Sequence, residues 1–481
     1  MSIYYQNDKV VLHHGDCLDV LAALPDASVD AVVTDPPYGL ANTDPAHVAD
    51  TIVRWVNGGR DYLPGGSGFM GKEWDAFVPP VAVWDECLRV LKPGGHALAF
   101  AGSRTVDLMT LGLRLAGFDI RDSLAWLYGS GFPKSMDVSK AIDRSTGENR
   151  ARQLEFTEWM RSTGITADAI REATGTHMAS HYLTTGSQPS IATADLFDKL
   201  RPHLPDVPER IERLVAERTG IEWTDYVKRP VLSQSPAYGI GGSGVYRGHA
   251  DGAVASITAS HSDAAREWEG WGTALKPGHE PIVMARKPLT GTVAANVLEH
   301  GTGALNIDAT RISAGQDYLD KCASVVGLDS NRNGHAYGEW TGTRVDSAHK
   351  AGRWPANVIL DESQSAVLNE NGGASRFFYV AKAPKSERPV VDGVAHPTVK
   401  PVSLMSWLVR LVTPPGGTVL EPFAGSGTTV EAAMREGFNV VAVEREADYL
   451  PLIMARIDRE RARQAAEAAN RTPSLFDEAA S

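Results

Sequence analysis

Val29-Asp30-Ala31-Val32-Val33-Thr34-Asp35-Pro36-Pro37-Tyr38-Gly39 decides how the chain is read. The run Val29 to Val33 predicts a buried strand. Asp35, two prolines and Tyr38 then stand at the carboxyl end of that strand, where open α/β sheets bind ligands. Pro36 offers a carbonyl and has no N–H. The prolines restrict the backbone, so that the Asp35 carboxylate and the Pro36 carbonyl can face the same way. Two convergent acceptors suit a ligand with two N–H donors. For the segment alone, a type I turn with Pro at its second position is the alternative.

Outward from this stretch, the pattern alternates between strand and helix. Val10 to Leu24 predicts a short strand, Gly15-Asp16-Cys17, and a helix ending near Pro25. Asp16 in that setting also suits a helix N-cap. Asn42 to Gly71 is rich in Gly, Asp and Pro and predicts a loop beside the site. Trp84 to Leu91 predicts a helix, ended by Lys92-Pro93-Gly94-Gly95. His96 to Ala101 and Ile120 to Tyr128 predict strands, with a helix from Arg104 to Ala116 between them. This βαβ alternation predicts a mostly parallel sheet with helices on both faces, an α/β fold.

The character changes after Gly129-Ser130-Gly131-Phe132-Pro133-Lys134. From Arg150 to about Lys228 the sequence is polar and helical. Phe156 to Ser162 and Ala167 to Ala173, with Gly164-Ile165-Thr166 between them and Gly175 after, have the spacing of a helix-turn-helix. Arg150, Arg152, Arg161 and Arg171 are nearby, and a solvated charged face is the alternative to DNA contact. Ala194 to Leu200 and Pro208 to Arg218 predict further helices. Ser233 to Trp271 predicts a linker. Glu280 to Arg286 predicts a strand returning to the sheet. Gly291 to Asp361 reads as irregular, and Arg376 to Ala381 as a strand.

Regular structure resumes near the end. A helix is predicted for Val402 to Leu411, strands for Thr418 to Leu420 and Asn439 to Val443, and helices for Thr429 to Glu436 and Leu450 to Ala468. Between the strands lies Glu421-Pro422-Phe423-Ala424-Gly425-Ser426-Gly427-Thr428-Thr429. Gly425 and Gly427 allow a tight turn and close approach of a ligand. Glu444, about 20 residues on at the next strand's end, has the position of a ribose-binding acid. The spacing is not G-x-G-x-x-G. An acid, Glu421, before the loop suits a cofactor with an ammonium or sulfonium group better than one with phosphates.

The 481 residues are 43% hydrophobic and 22% charged, with three widely spaced cysteines. Cys17, Cys87 and Cys322 support neither a disulfide frame nor a zinc site, so no metal is expected and a reducing cytoplasm is. The N-terminus has no basic segment followed by an apolar one, and no run is long enough to span a bilayer, so no membrane partner is expected. A net charge of −12 admits a nucleic-acid partner only if the basic residues are concentrated in one groove.

An exocyclic –NH2 on a base is a poor nucleophile, because its lone pair is delocalised into the ring. Hydrogen bonds to Asp35 and Pro36 would favour a pyramidal nitrogen, with Tyr38 stacking on the base face. In-line attack on an electrophilic methyl group then needs mainly positioning and electrostatics.

TDPPY, HPTVKP and EPFAGSGTT, in that order, resemble the S-adenosylmethionine-dependent DNA amino-methyltransferases, and the order resembles their β-group. The resemblance covers about residues 8 to 130 and 376 to 458. GSGFPKS, ALNID and GRWPANVILD resemble phage and bacterial members with a large insertion. It implies a Rossmann-like sheet with circularly permuted motif order, and an inserted helical recognition region. Asp35, Pro36, Pro37 and Tyr38 would be catalytic and hold a base flipped from double-stranded DNA. Asp16 would accept from the cofactor's adenine amino group, with Cys17 beside it. Glu421, Phe423, Gly425, Gly427 and Thr428 would form the methionine-side loop, Glu444 would hold the ribose, and Thr398 and Lys400 would lie near the cofactor carboxylate. Glu421 stands where many members have Asp.

The expected division is 1–144 (first catalytic part), 145–229 (helical recognition), 230–375 (loop-rich target recognition), 376–465 (cofactor part) and 466–481 (disordered tail). The expected activity is methylation of adenine N6 in DNA, with cytosine N4 as the alternative. No cysteine follows a proline, which disfavours cytosine-C5 chemistry. Methylation of a protein or RNA amide, a DNA-binding module without catalysis and a nicotinamide oxidoreductase are further alternatives. A homodimer and a cognate nuclease are left open. Pro473-Ser474-Leu475-Phe476 slightly resembles sliding-clamp peptides, with a frayed tail as the simpler reading.

Overall fold

The computed structural model describes residues 2–40, 44–65, 73–129, 135–145, 148–176, 178–186, 188–216, 231–236, 254–258, 266–314, 316–324, 332–334, 338–340, 351–370, 374–381 and 387–469. Ser130 to Lys134 and the tail with Leu475 and Phe476 lie outside the described residues, as does much of Ser233 to Trp271. The described chain divides into two units, one of residues 1–131 and 278–481, the other of residues 132–277. No described helix is long and apolar enough to cross a membrane.

The first unit is built on a ten-stranded sheet. Its strands are β1 (Ser2–Gln6), β2 (Val10–His14), β3 (Val29–Thr34), β4 (Leu91–Phe100), β5 (Asp119–Leu127), β6 (His279–Arg286), β7 (Val358–Asp361), β8 (Tyr379–Ala381), β9 (Thr418–Glu421) and β10 (Asn439–Glu444), in the spatial order β1-β2-β10-β9-β3-β4-β6-β5-β7-β8. From β2 to β4 every pairing is parallel. β6 enters antiparallel between β4 and β5, and β1 is an antiparallel edge strand. The mostly parallel α/β architecture is therefore as expected; the edge strand β1 and the direction of β6 are additions.

Alternation along the strands assigns the two faces. Ala31, Val33, Leu98 and Phe100 join one core with α5 (Val402–Val412), α6 (Thr428–Arg435) and α7 (Leu450–Ala469). Val32, Ala97 and Ala99 join the other with α1 (Cys17–Ala23), α2 (Pro45–Val56), α3 (Val81–Val90) and α4 (Val106–Ala116). Such burial on both faces is what a near-continuous apolar strand requires. α7 continues to Ala469, so the first residues of the expected disordered tail are helical.

Lys92 to Gly95, expected to end the preceding helix, lie within β4. The β3–β4 register passes from Val29↔Leu91 to Ala31↔His96, so these residues bulge. Their backbone is met by side chains: Asn296 Nδ2 and Thr302 Oγ1 donate to the Pro93 carbonyl at 2.9 and 2.6 Å. Asn296 belongs to a helix, Val293–His300, capped by Thr292 and Gly301. That helix and another at Gln316–Ala323 lie in a stretch expected to be irregular.

The expected divisions at 144, 229 and 375 do not coincide with the two units. The second unit spans 132–277, and the described residues from 278 onward belong to the unit that contains the sheet. The cause is β6 and β7, which carry this part of the chain back into the ladder. Inside the second unit, helices Glu148–Ser162, Ala167–Thr174, Ala194–Leu200 and 209–216 surround Phe156, Met160, Ile170, Phe197, Leu200, Ile211 and Leu214. Thr166 caps Ala167–Thr174 through the Ala169 N–H, and Gly175 ends it at φ +68°. Arg150, Arg161 and Arg171 bond to the Gly186 carbonyl, Thr185 and Asp168 of their own unit.

β3 holds one buried acid, Asp30. Its Oδ1 accepts from Lys92 Nζ at 2.6 Å, and its Oδ2 accepts from the Thr418 N–H at 2.8 Å. Asp30→Ala leaves a buried N–H and an ammonium without their partner. Urea denaturation is expected to show a loss of about 2–3 kcal/mol.

Candidate active site

The carboxyl ends of β3, β9, β10 and β2 lie side by side. Asp35 follows β3 directly. The backbone after it is held from two sides: Asp75 Oδ1 accepts from the N–H groups of Tyr38 (3.0 Å) and Gly39 (3.1 Å), and Thr105 Oγ1 donates to the Tyr38 carbonyl at 2.6 Å. Gly39 has φ +64°, and a Cβ there would stand 2.8 Å from Val78 N. Glycine is needed at this position both for its conformation and for the close approach. Pro36 is buried and Pro37 half-buried.

Four functional side chains meet here. The Tyr38 hydroxyl lies 2.8 Å from Asp35 Oδ1 and 2.9 Å from Glu280 Oε2, with one proton to donate. Lys400 Nζ is 2.7 Å from Asp35 Oδ2 and 3.3 Å from Glu280 Oε2. Lys400 is buried over the rings of Phe100 and Tyr38, 5.0 and 5.2 Å from their centroids. Burial works against its charge, but Asp35 and Glu280 outweigh it and raise its pKa. Burial, with the two carboxylates, raises the Tyr38 phenol well above its ordinary value. Lys400 was expected near a cofactor carboxylate; here its ammonium engages Asp35.

Glu280 is the residue that sequence reasoning missed. Its strand was legible, but its direction was not. Because β6 runs antiparallel, its first residues lie at the edge where its parallel neighbours end, opposite Trp126 of β5. Burial and then Glu280 push nearby Tyr128 up to about 12.

The Gly-rich loop follows β9. The buried Glu421 carboxylate receives Thr34 Oγ1, Thr429 Oγ1 (2.5 Å) and the Phe423 N–H (3.1 Å). Its acid thus holds the loop to β3 and α6. Gly425 and Gly427 are left-handed, at φ +52° and +78°. A Cβ on Gly427 would meet Ile453 Cα at 3.0 Å. Thr428 begins α6, its hydroxyl 3.1 Å from Ser426 Oγ. Glu444 accepts from the Gly425 N–H at 2.6 Å and the Glu446 N–H at 2.7 Å.

Asp16 caps α1 by accepting from the Leu18 N–H at 2.9 Å. Burial, and then Asp16, push the Cys17 thiol up to about 12. Thr398 is exposed, and its carbonyl lies 2.5 Å from Nδ1 of His396. The His396 ring stands edge-on to Tyr449 at 4.6 Å, and its Nε2 faces Gly425.

Burial pushes Glu421 up to about 8, against the bonds it receives, and Glu444 up to about 7. Both ordinarily titrate at 4.5. The folded chain therefore keeps protons that the unfolded chain has released, and stability falls as pH rises through that window. Between about pH 5 and about pH 9, the thermal midpoint of the unmodified chain is expected to fall further than that of Glu421→Gln. Parallel curves would contradict the shift at Glu421.

A family model described as DNA methylase, the N6/N4 type, matches residues 258–455. That span contains Glu280, Lys400, Glu421, the Gly-rich loop and Glu444; Asp35 to Tyr38 lie outside it and reach it through the sheet. The type II methyltransferase M.ScaI of Streptomyces caespitosus is 33% identical over 75 residues, 16% of this chain and 25% of that protein. The match thus spans a quarter of that relative's length. Among solved structures, the TTHA0409 protein of Thermus thermophilus complexed with S-adenosyl-L-methionine overlaps at a TM-score of 0.34 and 16% identity, covering 93% of this chain and 95% of that one. The PvuII DNA methyltransferase (cytosine-N4-specific) overlaps at 0.37 and 12% identity, covering 94% and 88%. Over residues 258–455, the chain is similar to the DNA methylases of the N6/N4 type.

Proposed function

We propose that the chain methylates the exocyclic N6 of adenine in double-stranded DNA, using S-adenosyl-L-methionine. The observation that carries this reading is the junction of Asp35 and Glu421 at one sheet edge. The Thr34 hydroxyl, donating to Glu421, ties the two loops together across 387 residues of sequence.

When bound, S-adenosyl-L-methionine supplies an electrophilic methyl group on a sulfonium. The residues of the Gly-rich half fit such a cofactor. Left-handed Gly425 and Gly427 keep side chains away from the loop backbone. Glu444 uses one lone pair of each oxygen on backbone N–H groups, and a carboxylate has about four acceptor sites, so acceptors are left for ribose hydroxyls. Asp16 caps through Oδ1, leaving Oδ2 for an amino donor.

Asp35 and the Pro36 carbonyl would hold the two N–H groups of a base extruded from the stack, and Tyr38 would flank its face. Methyl transfer would form the N–C bond as the S–C bond breaks, and the nitrogen would then release its proton to solvent. The unit of residues 132–277, with its capped helix Ala167–Thr174, would read the target sequence. Asp-Pro-Pro-Tyr suits adenine or cytosine; adenine is the reading adopted.

DNA incubated with methyl-labelled S-adenosyl-L-methionine and digested to nucleosides should carry label in N6-methyladenine. Label only in N4-methylcytosine would overturn the choice of base. Asp35→Ala should lower the single-turnover rate about 1000-fold while S-adenosyl-L-methionine still raises the thermal midpoint. An Asp35→Ala chain that methylates at the normal rate would overturn the site.

A further inference from the structure

Asp35 is not a free carboxylate, and this decides what Glu280 does. Lys400 Nζ sits 2.7 Å from its Oδ2 and Tyr38 donates within 2.8 Å of its Oδ1. Taken alone, a buried ammonium on Asp35 cancels the charge that an amine under attack requires. The attack turns a neutral amino nitrogen into one that bears positive charge until its proton leaves. Preorganised negative charge at that nitrogen lowers the barrier; a neutral pair does so far less.

Glu280 changes the balance. Asp35 and Glu280 contribute two negative charges, Lys400 one positive charge, and Tyr38, its ionisation suppressed by burial and the carboxylates, none. The cluster therefore carries a net charge of one negative unit. Lys400 is shared between two acceptors, 2.7 and 3.3 Å away, so its charge does not fall on Asp35 alone. Among the described residues, His396, whose pKa burial lowers, Glu421, which burial pushes up, and Tyr128 also act on the cluster, and Asp75 accepts from the Tyr38 N–H.

We infer that Glu280 is a positioning residue for methyl transfer: by sharing Lys400 and the Tyr38 hydroxyl, it keeps Asp35 net negative toward the amino group. It touches Lys400 and Tyr38 and not the reacting atoms. The inference rests on the methyltransferase reading and adds to it a residue that is not part of the Asp-Pro-Pro-Tyr segment.

A charge-balance series with labelled S-adenosyl-L-methionine and substrate DNA tests it, with the unmodified chain assayed first. Glu280→Gln should lower kcat about 100-fold with little change in KM for DNA. Adding Lys400→Met to Glu280→Gln removes both members of the extra pair and restores one negative unit at Asp35, so the double variant should recover at least about tenfold of the loss. Glu280→Asp keeps the charge and should exceed Glu280→Gln. Thermal melting checks that each variant folds; if the double variant does not, the comparison of Glu280→Asp with Glu280→Gln decides. Glu280→Gln with normal kcat, a folded double variant no faster than Glu280→Gln, or equal losses in Gln and Asp each overturn the inference. No methyl transfer by the unmodified chain would instead overturn the methyltransferase reading itself.

Discussion

The parallel pairing of β3 with β9 is the constraint on which the rest of the molecule depends. Ala31 and Val32 lie beside Val419 and Leu420. Side chains pin both ends of this short ladder: Asp30 accepts from the Thr418 N–H at one end, and Thr34 donates to Glu421 at the other. Two buried polar anchors specify register, since a slip of one residue would leave each of them without its partner. Everything at the site follows from that register. Asp35 and the Gly-rich loop become neighbours because the strands they follow end together.

The same edge explains the electrostatics. Strand ends that open into a crevice bring acids together where little water reaches them. Two solutions stand side by side. Around Asp35, a buried lysine and a tyrosine meet the carboxylates, and charge is retained. Around Glu421 and Glu444, the donors are hydroxyls and backbone N–H groups, and burial raises both acids toward neutrality. A polar and charged half faces the proposed base, and a nearly neutral, backbone-lined half faces the proposed cofactor.

Much of this was legible in the sequence because it is local. Val29 to Val33 reads as a buried strand since all its residues are enclosed by neighbouring strands and helices. Ala167–Thr174 is bounded by a Thr cap and a Gly stop, and Ala194–Leu200 matches its periodic pattern. Other features were not legible. The exposed residues of β1 give no apolar alternation, and the strand exists only as the partner of β2. Lys92-Pro93-Gly94-Gly95 has the composition of a turn, but Asn296 and Thr302, some 200 residues later, satisfy its backbone inside β4.

By itself, then, the sequence determined most of the strands, which chemical groups stand at the carboxyl ends of β3 and β9, and that two such loops lie at opposite ends of the chain. Local periodicity and turn chemistry suffice for that. Only the tertiary structure decided what each charged group touches. Periodicity is the same for a strand running either way, so nothing local could show that β6 runs antiparallel and delivers Glu280 beside Tyr38. Lys400 acquires its role from Asp35, 365 residues away. The ionisation of a buried side chain depends on the charges within a few ångströms of it, and those neighbours come from distant parts of the chain.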